Sequence, residues 1–160
     1  MRKLLLAIVF FSLTANLTSF SQTTNAAKQI DKFGNVYCED EQARLDNFAV
    51  QLQNEPDAQG YIIFYEGRRY GYCYKYRPRI PRRGEAEVRV ARMKPYLVET
   101  RGFDANRIVM INGGYREEWM AELWIVPKGA NPPKPTPTLT EKDIKFRRGK
   151  IPKGEYGCML

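Results

Sequence analysis

The chain has 160 residues, a formal charge of +8 at neutral pH, three cysteines and no histidine. Without histidine, Ser-His-Asp and Cys-His catalysis and every histidine-ligated metal centre are excluded. The excess of basic residues points instead towards anionic partners.

The first 21 residues have the pattern of a secretory signal peptide. Arg2 and Lys3 precede the apolar run Leu4 to Phe11, and Ser19 and Ser21 are small residues ahead of a cleavage point. The uninterrupted apolar run falls well short of the roughly 20 residues that a membrane span needs. No cysteine stands at a lipoprotein cleavage site. No transmembrane span is therefore expected after cleavage, and the mature chain is expected in the periplasm or outside the cell. About 139 residues remain (160 minus 21), enough for one domain with one core.

Residues 22–29 are polar and expected to be disordered. Ile30 to Tyr37 predicts a short strand or small hairpin. Glu39, Asp40 and Glu41 put negative charge where a helix N-terminus is positive. Leu45, Phe48, Ala49 and Leu52 then recur at helical spacing until Pro56 ends the run. Tyr61 to Tyr65 is a continuous apolar run of the kind found in a strand buried on both faces. A second helix starts near Gly84-Glu85, with Ala86, Val90, Met93 and Leu97 along one stripe. Pro95 inside it predicts a bend at Lys94, and Gly102 is placed as its C-terminal cap. Arg107 to Ile111 predicts a strand, Asn112-Gly113-Gly114 a turn, and Trp119 to Val126 a last strand covered on both faces. The domain so defined spans residues 30–127. The proline-rich stretch from Asn131 to Thr138 is expected to be a stiff spacer, and residues 128–160 together a linker and basic tail that bury little. This order of elements indicates an α/β sandwich (α+β), two helices packed on a small mixed sheet, with strands two and three parallel.

Export makes Cys38–Cys73 the natural disulfide, closing a loop of about 35 residues and contributing about 3 kcal/mol by the chain-entropy estimate. Cys158 is then left as a free thiol or an intermolecular link. The cysteine spacings match no common metal pattern, and no metal or cofactor is expected.

The resemblance enters on these elements. Leu45-Asp46-Asn47-Phe48-Ala49 with Leu52, the strand Tyr61–Tyr65, Ala86 to Leu97, and Asp104-Ala105-Asn106-Arg107-Ile108 followed by Gly113-Gly114 resemble the periplasmic OmpA-like domain, the peptidoglycan-associating module of the outer-membrane protein A family. The resemblance covers residues 30–127 and implies a βαβαββ order. It implies that Arg89, on the second helix, holds a peptidoglycan carboxylate. A guanidinium suits that task because its planar fork takes a carboxylate through two hydrogen bonds. The aspartate that the family places after the second strand is replaced by Glu66-Gly67-Arg68-Arg69, so Glu66 is the candidate for the acid. The family's lead into the helix is replaced by Pro81-Arg82-Arg83-Gly84-Glu85.

Between Gly67 and Lys94, ten basic residues face only Glu85 and Glu87. Tyr70, Tyr72, Tyr74 and Tyr76 alternate with other residues, so an extended segment would show one tyrosine face. Tyrosine with arginine suits stacking on sugars and pairing with acids. This makes Tyr72, Arg68, Arg82 and Arg83 further candidate ligand contacts, for peptidoglycan or an anionic envelope glycan or lipid rather than nucleic acid. The same features also fit a solvated loop with tyrosines packed on the domain surface. The leading expectation is a non-enzymatic envelope domain. A protein-interaction module with a degenerate OmpA-like pocket is the alternative. A hydrolase built on Glu39-Asp40-Glu41 or Glu117-Glu118 would need two carboxylates facing across a cleft. The sequence leaves the oligomeric state undetermined.

Overall fold

The computed structural model describes residues 25–70 and 78–152. Four strands and two helices form an α+β domain. They are β1 (Lys28–Phe33), α1 (Cys38–Gln53), β2 (Gln59–Arg68), α2 (Glu85–Val90), β3 (Ile108–Glu118) and β4 (Met120–Val126). The sheet order is β1-β4-β2-β3, with β2 and β3 parallel and the other two pairs antiparallel. The expected parallel pair and the mixed sheet are therefore present. The first strand starts earlier than expected, so Lys28 and Gln29 belong to the sheet and pair with Ile125 and Trp124.

Helical periodicity places Leu45, Phe48, Ala49 and Leu52 of α1 on one face of the sheet. Ala86, Val90, Met93 and Leu97 join them over Ile62 and Phe64 of β2, Ile108 of β3, and Ala121, Leu123 and Ile125 of β4. Each such side chain, fully buried, contributes about 1.5–3 kcal/mol. The unbroken apolar run of β2 has the reason expected of it, since Ile63 and Tyr65, on the opposite face, are buried as completely as Ile62.

The second helix breaks where its proline requires, one turn earlier than expected. A proline ring clashes with the carbonyl four residues before it, and for Pro95 that residue is Ala91. The helix opens at Ala91–Arg92, resumes as the turn Met93–Pro95, and finishes as a π-turn over Tyr96–Thr100. Gly102, at φ 75°, then caps it in the left-handed conformation.

A second correction concerns Asn112-Gly113-Gly114, which forms a bulge rather than a turn. Phe64 lies opposite Asn112 and Glu66 opposite Tyr115, so β3 spends one residue more than β2 across this step and continues to Glu118. A β-carbon at position 113 would overlap the Tyr65 ring, and Gly114 has φ 89°.

Arg107, just before β3, closes the far end of α1. That helix has no basic residue in its last turn. Arg107 donates from Nη2 to the carbonyls of Leu52 and Glu55, both at 3.0 Å, and from Nε to that of Ala58 at 3.1 Å. Arg107→Leu is expected to cost about 2 kcal/mol through these charge-assisted bonds. The loss should appear as a lower urea midpoint at unchanged slope.

Residues after Pro127 remain on the domain instead of leaving it as a spacer. Prolines 132, 133, 135 and 137 have no N–H, and the threonines between and beyond the last of them bring theirs to the sheet. Thr136 N donates to Tyr65 Oη at 3.1 Å, and Thr138 and Leu139 donate to the Tyr115 carbonyl at 3.0 and 3.1 Å. Arg116 lies 3.6 Å over the Tyr65 ring, bonds Thr136 through its hydroxyl (2.6 Å) and carbonyl (3.2 Å), and pairs with buried Glu122 at 2.9 Å. The short turn Glu141–Asp143 follows. Beyond it, Arg147 N donates to the Pro81 carbonyl at 2.8 Å.

Candidate functional site

β2 and β3 are parallel, and the loop after β2 leads directly into α2, so the expected site lies where β2 ends under the start of α2. The chain reaches α2 through Gly84, whose φ of 75° turns it into the helix. Glu66 shares the helix-facing side of β2 with Ile62 and Phe64. It is buried, and its Oε2 accepts from Ala86 N at 3.3 Å, while Oε1 has no hydrogen-bond partner among the described residues. Burial above all, then the nearby Glu85 and Glu87, pushes its carboxyl up to about 7, against the partial relief of the Ala86 and Gly84 amides.

Arg89, one turn further along α2, is only 5% exposed. Its guanidinium lies 4.4 Å over the Trp119 ring, and Nη2 donates to Asn35 Oδ1 at 2.6 Å. Burial first, then Arg69 and Arg92, pulls it down to about 10, which leaves it charged at neutral pH. Glu66 and Arg89 are both buried, in the interior rather than at a surface, Glu66 against the start of α2 and Arg89 against Asn35 and Trp119. None of the clefts described below is lined by either residue.

Several charged partners around them have no sequence signal that marks them in advance. Arg69 pairs with buried Glu85, whose Oε2 also accepts from Arg82 N at 2.8 Å. Arg92 grips buried Glu41 through Nε at 2.7 Å and Nη2 at 2.5 Å. Glu41 therefore does more than place charge at the start of α1, because it ties that helix to the broken second one.

The remaining candidates lie elsewhere. Arg82 is half-buried through its backbone tie to Glu85, and Arg68 is exposed at the end of β2. Arg68 lines a cavity of about 140 Å³ with Glu117, Leu139, Asp143 and Ile144. Arg83 is exposed, pairs with Glu141 and stands 4.6 Å over the Phe146 ring. It lines a cleft of about 640 Å³ with Thr140, Glu141, Lys142, Ile144 and Phe146. A third cleft, about 400 Å³, opens at the opposite end of the sheet around Asp57, Tyr61, Arg107 and Lys128.

Tyr72, Cys73 and Cys158 lie outside the described residues, and with them the expected tyrosine face and the Cys38–Cys73 bridge. Arg69 and Arg79, on either side of the undescribed residues 71–77, exchange two backbone hydrogen bonds of 3.0 Å. Among the described residues no group of three or more Cys, Asp or Glu is placed to hold a metal ion. No described helix is long and apolar enough to cross a membrane. No protein-family model and no curated protein sequence matches the chain.

Proposed function

We propose that the protein is an exported, non-enzymatic cell-envelope domain, related in fold to the OmpA-like modules, that binds the acidic groups of peptidoglycan through a composite cationic surface. One observation carries this reading. The hydrogen bond from Arg147 to Pro81 lays the basic tail beside the loop before α2. Arg79, Arg82 and Arg83 lie within two residues of Pro81 in the chain, and Lys145, Arg148 and Lys150 within three of Arg147, so this bond brings two basic stretches to one place; all but half-buried Arg82 are exposed. Two basic stretches some 60 residues apart in sequence become one surface, which concentrates positive potential on a polyanion. Arg89, committed to Asn35 and Trp119, acts in this reading as an internal support for α2.

Sedimentation of the mature protein with purified peptidoglycan tests the proposal, with phosphatidylglycerol vesicles as a second arm. Arg148→Glu with Lys150→Glu is expected to weaken binding about tenfold or more, from about 1 kcal/mol for each basic residue near an anionic surface. Raised salt should weaken the wild type in parallel. Unchanged binding by the double variant would refute the surface. Retention by vesicles alone would replace peptidoglycan with lipid. Loss on Arg89→Gln without loss on charge reversal would return the contact to the buried arginine.

A further inference from the structure

The cleft between the loop before α2 and the tail has the make-up of a small-ligand site, and the envelope-binding proposal does not use its interior. Its volume of about 640 Å³ falls within the roughly 300–1,000 Å³ of small-molecule sites. Two chain segments form it, one supplying Arg83 and the other Thr140 to Phe146.

Its parts are held in place. Phe146 meets Tyr115 of β3 edge-on, ring centres 6.3 Å apart at 74°, while Arg83 covers the ring at 4.6 Å. The short turn is fixed by Thr140, whose N and Oγ1 donate to Asp143 Oδ2 at 2.8 and 2.7 Å. One oxygen of Asp143 is thereby engaged within the turn. Two cations, Arg83 and Lys142, and one carboxylate, Glu141, then face the cleft, and Glu141 is paired with Arg83. That pair is solvent-exposed on both sides, so it is weak and exchangeable. The arginine is already arranged to hold a carboxylate, and the apolar floor of Ile144 and Phe146 lies beside it.

We propose that this cleft is a subsite for an acidic sugar, with the sugar ring seated against Phe146 and Ile144 and its anionic group exchanging with Glu141 on Arg83 and Lys142. An aromatic surface takes the apolar face of a sugar ring, and the guanidinium fork takes carboxylate or phosphate. The choice of a sugar rests on the envelope reading; the preference for an anion rests on the residues of the cleft.

The test titrates isotope-labelled mature protein with galacturonic acid, glucose phosphate and glucose, and follows amide chemical shifts. Saturable shifts at Arg83 and Thr140 to Phe146 are expected with an acid and not with glucose. Response to only one of the two acids also supports the site and identifies the anion. Lys142→Gln, an exposed substitution that leaves the tail docked, is expected to weaken binding several-fold, and Phe146→Ala more. No saturable shift with either acid at tens of millimolar overturns the proposal. So does an equal response to glucose, or full affinity in Lys142→Gln. If peptidoglycan still sediments the protein while both acids fail, this subsite alone falls. If the titration succeeds and sedimentation fails, the envelope reading falls and the subsite stands.

Discussion

Gly67→Ala is expected to lower the stability of the protein by about 3 kcal/mol, at the upper end of overpacking costs, and its melting temperature by about 10 °C. The cause is topological. β2 lies between β3 on one side and β4 on the other, so the chain leaving β3 must cross the end of β2 to reach β4. It crosses at Glu118–Trp119, directly against Gly67. A β-carbon there would stand 2.6 Å from both the Glu118 carbonyl oxygen and the Trp119 nitrogen. These are backbone atoms, which no rotamer change can move aside. The crossing is pinned by Trp119 N donating to the Arg68 carbonyl at 2.9 Å, and the same residue packs on Phe33 and carries Arg89 on its ring. A shift at Gly67 therefore reaches the interior of the candidate site. Gly60→Ala provides the comparison, since its β-carbon would meet the ends of the Phe48 and Leu52 side chains at 2.7 and 2.9 Å. These can give, and the loss there is expected to be clearly smaller. Urea unfolding of both variants measures the difference. A wild-type midpoint for Gly67→Ala would show that the crossing has slack.

The elements that bury apolar stripes were legible in the sequence because burial leaves a period. Leu45, Phe48, Ala49 and Leu52 mark α1, and the unbroken run Tyr61–Tyr65 marks the central strand. Proline and glycine were legible as punctuation, but their consequences depend on geometry outside the local sequence. Pro95 acts on the carbonyl of Ala91, so the break lies a turn before the proline. Gly113-Gly114 suggests a turn by composition, whereas the ring of Tyr65 and the parallel register with β2 make it a bulge. The tail was misread for a related reason. Few apolar residues announce it, and its hold comes from single donors on Thr136, Thr138, Leu139 and Arg147. At the site, Arg89 and Glu66 could be named in advance only through the OmpA-like resemblance, with Glu66 standing in for an aspartate that the sequence lacks. The setting of Arg89 could not, because it depends on Asn35 and Trp119 from distant parts of the chain, and the Arg92–Glu41 tie likewise joins residues 51 apart.

Glu66→Gln is expected to make the protein more stable than wild type at alkaline pH, by up to about 3 kcal/mol, and to leave it nearly unchanged in acid. The folded-state value of Glu66, about 7, lies above its ordinary value of 4.5. Between those two values the native protein holds a proton that the unfolded chain has released. Native stability from this group therefore falls as pH rises from 4.5 to about 7, and the penalty is complete above that. At 1.36 kcal/mol per unit, the interval corresponds to about 3 kcal/mol. The groups facing Glu66 explain why ionisation is costly. Glu85 and Glu87 approach from α2 with like charge, and the amides of Ala86 and Gly84 do not offset the loss of water. Glutamine keeps the shape and removes the ionisation, so the difference between the two urea-stability profiles should rise through this window and then level off. Parallel profiles would mean that water reaches the carboxylate and that it titrates normally. A carboxyl that retains its proton near neutral pH is also a weak partner for a guanidinium. Arg89 instead meets the Asn35 side-chain oxygen and the Trp119 ring, and under the proposed function the ligand-facing charge falls to the arginines and lysines of the surface.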